Sequence, residues 1–168
     1  KLIGILGRIQ KYKGQEDLLM AYNELPEYYK EKINIAIIGK GDKKDTDDIK
    51  NYIKIHKLEE NIKLLGYVNE KSNVIMNSLD LLVFATRNWD GWSLVAAEAM
   101  SVGVPVISTR VGATTEFINN SNGYLVDPHS VKDMKKAFID FIDNYQLWEN
   151  RALFAINDIK QYDAKIYS

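Results

Sequence analysis

Cysteine is missing from all 168 residues, which excludes disulfides and thiolate metal sites and fits a reducing, cytoplasmic compartment. Histidine is scarce: His56 falls in a helical stretch and His129 in a loop, neither at ligand spacing from other His, Asp or Glu, so no metal site is expected. Charge of one sign is missing too. Lys and Arg total 22 against 23 Asp and Glu, so no global field recruits nucleic acid. No apolar run approaches the ~20 residues that span a bilayer. Dinucleotide and P-loop motifs are absent: Gly4 and Gly7 do not complete a G-x-G-x-x-G turn, Gly39-Lys40-Gly41 has Lys44 where the third glycine belongs, and no Walker lysine motif occurs.

What is present is an alternation of apolar strands and amphipathic helices. Short apolar runs recur at Leu2–Leu6, Ile33–Ile38, Ile62–Leu65, Leu81–Phe84, Val106-Ile107 and Gly123–Val126. Between them lie helical patterns: Leu18, Leu19, Tyr22 and Leu25; then Ile49, Tyr52 and Ile53, in a helix expected to start near Asp45–Asp48; then Val74, Ile75 and Leu79. Two more helices close the chain, one with Val131, Met134, Phe138 and Phe141, the next with Leu147, Trp148, Leu153 and Ile156. Continuously apolar strands separated by helices indicate a parallel sheet covered on both faces. The pattern predicts one α/β domain over 1–168, a doubly wound, Rossmann-like sheet of six parallel strands in the order 3-2-1-4-5-6.

The densest stretch is DGWSLVAAEAM, after the fourth strand. Asp90-Gly91 reads as a turn, Ser93 as a helix N-cap, Leu94–Met100 as the helix, Gly103 as its stop, and Pro105 precedes the next strand. Two carboxylates, Asp90 and Glu98, stand eight positions apart. Glu98 lies among Ala96, Ala97, Ala99 and Met100, neighbours that suit a helix packed on a sheet, where a carboxylate needs a partner such as a polyol. Ligands of such sheets bind outside the carboxyl ends of the strands. There the sequence puts Arg8 and Lys13 after strand one, Gly39 after strand two, Tyr67 after strand three, and Asp90 to Leu94 after strand four; Arg110–Glu116, after strand five, reads as a turn. Arg8 and Lys13, with the N–H groups of Trp92, Ser93 and Leu94 opening a helix, form an anion site suited to a diphosphate.

The segments GRIQKYKG, IIGKG, LLGYV, DLLVFAT, DGWSLVAAEAMSVGVPVIST, VGATTEFI and NGYLVDP, in this order and spacing, resemble the C-terminal, donor-binding half of a GT-B glycosyltransferase. The similarity is to family four, the retaining glycosyl transferases group 1, and covers nearly the whole chain. The resemblance implies a retaining transfer of a hexose-type sugar from an NDP-sugar, such as a UDP- or GDP-sugar, to a glycan or lipid-linked acceptor, without cofactor or metal. It implies that Arg8 and Lys13 hold the donor diphosphate. The family's E-x7-E pair falls on Asp90 and Glu98, so Asp90 would contact the transferred sugar and Glu98 the ribose hydroxyls. Gly91, Trp92, Ser93 and Leu94 would offer main-chain amides to sugar and phosphate, and Gly66, Tyr67 and Val68 would hold the base.

Four positions, in three places, depart from the family pattern. Asp90 stands for the usual Glu, Trp92 and Ser93 for Phe and Gly, and Ala113 for the second glycine of a Gly-Gly, which implies a reshaped sugar pocket. The opening on Lys1, directly into a strand, leads us to expect a longer protein. Its acceptor half would precede this domain, with peripheral association at the cytoplasmic face of a membrane. By itself this domain would bind the donor without transferring the sugar. An NDP-sugar epimerase shares the architecture but would lack the Arg-Lys loop and carboxylate pair in this arrangement. A glycosidase would need its carboxyl groups ~5 to 9.5 Å apart, and Glu98 lies about two turns into its helix.

Overall fold

A computed structural model describes residues 1–88 and 93–162. Its strands are β1 (Leu2–Leu6), β2 (Asn34–Ile38), β3 (Ile62–Gly66), β4 (Leu81–Phe84), β5 (Val106–Thr109) and β6 (Tyr124–Val126). They form one six-stranded sheet in the order β3-β2-β1-β4-β5-β6, with every pairing parallel. This is the expected doubly wound topology. The helices are α1 (Gln15–Asn23), α2 (Glu27–Lys30), α3 (Lys43–Ile55), α4 (Ser72–Asn77), α5 (Leu94–Ser101), α6 (Thr114–Phe117), α7 (Val131–Asp143) and α8 (Tyr145–Lys160), with a 3-10 turn at Lys11–Lys13 before α1.

Strand composition follows position in the sheet. The central strand β4 (LLVF) and its neighbour β5 (VIST) are buried along their whole length, whereas β3 (IKLLG), at the edge, keeps Lys63 and Leu65 exposed. Alternation along each strand then divides the core into two. On one face Ile3, Ile5, Ile35, Ile37, Leu81, Val83 and Ile107 pack with Tyr22, Phe138, Phe141 and Trp148 from α1, α7 and α8. On the other, Leu82 and Val106 meet Met76, Ala96, Ala97, Ala99, Met100 and Ile159 from α4, α5 and α8. The alanines let α5 lie close to β4 and β5, which sets its N-terminus beside the carboxyl ends of the strands.

Helix starts follow side-chain caps. Ser93 caps α5 as expected, its Oγ accepting from the Ala96 N–H at 3.3 Å. Asp42 caps α3 by accepting from Asp45 N–H at 2.7 Å, so that helix begins at Lys43, earlier than the acidic run indicated. The stretch expected as a turn at Arg110–Glu116 winds instead into the single turn α6. There Thr114 Oγ1 donates back to the Thr109 and Val111 carbonyls at 2.9 and 2.6 Å. No described helix is long and apolar enough to cross a membrane.

Candidate functional site

The strand order reverses between β1 and β4, the switch point at which open α/β sheets form a crevice. A cleft of about 210 Å³ opens there. Ile5, Leu6, Gly7, Val83, Phe84 and Ala85 line it from the strand ends, Lys13, Gln15 and Thr86 from the loops, and Ser93, Leu94 and Val95 from the start of α5. It is thus floored by strand residues and walled by one lysine and one helix N-terminus.

The loop after β1 is bent back tightly against β4. Gly14 ends the 3-10 turn and opens α1 with φ +74°, and a Cβ there would stand 1.9 Å from the Ala85 carbonyl oxygen. No other residue fits that contact without moving the loop. Gln15, almost wholly buried, donates from Nε2 to the Arg8 carbonyl at 2.9 Å and so holds the loop's entry to its exit. Lys13 is half-buried at the cleft, its Nζ 5.1 Å from the Tyr12 ring. Arg8 is exposed, and its guanidinium makes no hydrogen bond or ion pair with another described residue.

The opposite wall is α5. Ser93 is buried, Leu94 is 54% exposed, and no carboxylate occupies the helix's first turn. Leu94 and Val95 have N–H groups with no acceptor inside the helix, and both residues line the cleft. A lysine and the positive end of a helix dipole lining one cleft make an arrangement that suits anions. Trp89, Asp90, Gly91 and Trp92 lie outside the described residues, so the expected roles of Asp90, Gly91 and Trp92 have no structural description.

The remaining candidates are dispersed around this cleft. Gly39 lies under a neighbouring cleft of about 330 Å³, with Lys40, Gly41, Thr46, Lys50 and Gly66. Its N–H donates to the Gly66 carbonyl at 2.8 Å, and a Cβ would stand 1.8 Å from the Gly7 carbonyl oxygen. Close passage of two backbones accounts for this glycine. Tyr67 is 64% exposed with Lys40 Nζ 5.2 Å from its ring centroid, and Val68 is half-buried. Glu98 is exposed, away from the core expected around it, because Ala96, Ala97, Ala99 and Met100 occupy the buried side of α5. Its partner is Ser72 at the start of α4, whose Oγ donates to Glu98 Oε2 at 2.5 Å. Neither Arg8, Tyr67, Val68 nor Glu98 lines either cleft.

The structure adds residues that the sequence did not single out. Arg87, just past β4, donates from Nε and Nη2 to the two carboxylate oxygens of Asp17 at 2.8 and 2.7 Å. Its Nη2 also reaches Glu16 at 3.2 Å and its Nη1 the Lys11 carbonyl at 3.0 Å. The hydrogen bonds it donates to Asp17 hold this guanidinium above its ordinary pKa against the opposing effect of burial. Further along, Thr109 Oγ1 donates to the Thr86 carbonyl at 2.6 Å. Polar contacts therefore tie the loop after β4 to the loop after β1 and to the end of β5. Among the described residues no group of His, Cys, Asp and Glu converges as a metal site.

Comparison with known proteins returns one family. The family model for glycosyl transferases group 1 matches residues 1–161. An uncharacterized glycosyltransferase of Methanocaldococcus jannaschii, MJ1069, is 30% identical over 158 residues, 93% of this chain and 40% of that protein. Among solved structures, the C-terminal domain of the group 1 glycosyl transferase LpcC from Francisella tularensis superposes with a TM-score of 0.84 at 28% identity, covering 95% of this chain and 84% of that one. A mutant TarM from Staphylococcus aureus, in complex with fondaparinux, alpha-GlcNAc-glycerol and UDP, gives 0.82 at 27% identity, covering 96% and 32%. This chain thus spans well under half the length of the M. jannaschii and S. aureus proteins.

Proposed function

The chain belongs to the glycosyl transferases group 1 family, and on that premise we propose that it is the donor-binding part of a retaining hexosyltransferase. The observation that carries this reading is the cleft at the β1/β4 switch point, lined both by Lys13 and by the N-terminus of α5. A nucleoside diphosphate leaving a sugar accumulates negative charge, and fixed cations with oriented N–H groups stabilise that charge without a metal ion.

In this reading Lys13 and Arg8 hold the diphosphate, with the amides of Ser93 and Leu94 on the phosphate and sugar. Glu98 binds the ribose hydroxyls and Asp90 the transferred sugar; Gly39, Tyr67 and Val68 border the base. Donors are UDP- or GDP-sugars, UDP first, because TarM, at 27% identity, was solved with UDP. The acceptor, a glycan or a lipid-linked sugar, enters through an N-terminal part of a longer protein at the cytoplasmic face of a membrane. This chain alone binds donor without transferring it.

Calorimetric titration with UDP, GDP and ADP, each with and without Mg²⁺, tests the proposal. Binding of UDP or GDP at an affinity independent of Mg²⁺ is the expected result. Binding that requires Mg²⁺, or equal binding of all three, would contradict it.

A further inference from the structure

Arg87 has no place in the donor site as drawn, yet it is among the most heavily bonded side chains near the cleft. Its guanidinium spends donors on Asp17, Glu16 and the Lys11 carbonyl, and its backbone N–H donates to the Tyr12 carbonyl at 2.7 Å. Two of those acceptors, Lys11 and Tyr12, belong to the 3-10 turn that ends in Lys13. In the other direction, five residues separate Arg87 from the buried cap Ser93, the stretch 88–92. One arginine therefore touches the base of the Lys13 turn and the root of the segment leading to α5.

We propose that Arg87 is a positioning residue for donor binding. It clamps the Lys11–Lys13 turn to the end of β4, so that the Lys13 ammonium and the α5 N-terminus face the cleft at a fixed separation. This inference rests on the donor-site reading above. The guanidinium geometry matters to it. A planar fork satisfies the Asp17 carboxylate with two parallel bonds while a third donor reaches the Lys11 carbonyl; a lysine ammonium, one compact charge, cannot span those acceptors together. The pair is poorly hydrated, with side chains 16% and 10% exposed for Arg87 and Asp17, so water substitutes only partly for a lost bond.

The test uses Arg87→Lys and Asp17→Asn in this chain, each confirmed folded by circular dichroism, with UDP and uridine titrated against both. The clamp predicts that UDP affinity falls about tenfold while uridine changes less than twofold, a loss on the scale of coupling between neighbouring groups. It also predicts non-additivity. Lys13→Ala should weaken UDP binding less in the Arg87→Lys or Asp17→Asn background than in the wild type, because Lys13 is already displaced. Equal losses for UDP and uridine, or a lower melting temperature with both affinities unchanged, would reduce Arg87 to a structural residue and overturn the inference. Absence of UDP binding to the wild-type chain is a distinct result, which removes the donor-site reading and the clamp with it.

Discussion

Of the arginines at the carboxyl end of the sheet, the one in the loop after β1 and the one in the loop after β4 are used oppositely. Arg87 is enclosed and answers two carboxylates and a carbonyl. Arg8 is exposed, with no side-chain partner among the described residues. A charge already neutralised by its own chain contributes to geometry, and its field is largely cancelled at the cleft. A charge left uncommitted offers its field to an incoming anion. On the proposed reading, the difference separates the residues that build the site from those that meet the ligand.

The comparison breaks first at Arg87. Arg87→Ala leaves the Asp17 carboxylate poorly hydrated and unpaired, and should cost about 2–3 kcal/mol of folding stability in urea titration, less than a fully buried pair because water reaches part of the site. Arg8→Ala should do the reverse. Stability stays within about 0.5 kcal/mol, as at an ordinary surface position, while UDP affinity falls about tenfold, ~1.4 kcal/mol. Equal stability losses in the two variants would erase the distinction between them.

Glu98 and Ser72 sharpen the comparison at the nucleoside end. Glu98→Ala should weaken uridine and UDP alike, by ~1 kcal/mol, the net value of a typical hydrogen bond. Loss confined to UDP would place Glu98 at the phosphates instead. Ser72→Ala removes the hydroxyl that donates to Glu98. It should cost the smallest amount, ~0.5 kcal/mol of uridine binding, with no change in an Glu98→Ala background.

Much of this arrangement was legible beforehand because it rests on short-range pattern. Apolar runs such as LLVF and NIAII became strands, their order followed from the alternation with helices, and Ser93 acted as the cap its position implied. The single-turn helices α2 and α6, four residues each, are too short to show a period. The Arg87–Asp17 pair joins residues 70 positions apart, and no local spacing announces it. Glu98 is a different case. With ~100° per residue, the positions of Ala96, Ala97, Ala99 and Met100 already put Glu98 on the far side of α5. Their small size reports how near the helix approaches the sheet and says nothing about where the carboxylate points.

The central claim is that the cleft between β1 and β4 binds a diphosphate through Lys13 and the N-terminus of α5. Its most direct test is the difference in affinity between UDP and uridine, measured by calorimetry on the wild-type chain and on Lys13→Glu. The account predicts that wild type prefers UDP by about a hundredfold, ~2.7 kcal/mol, and that Lys13→Glu abolishes the preference while uridine affinity holds. Equal affinities for UDP and uridine in the wild type, or a preference that survives Lys13→Glu, would contradict it.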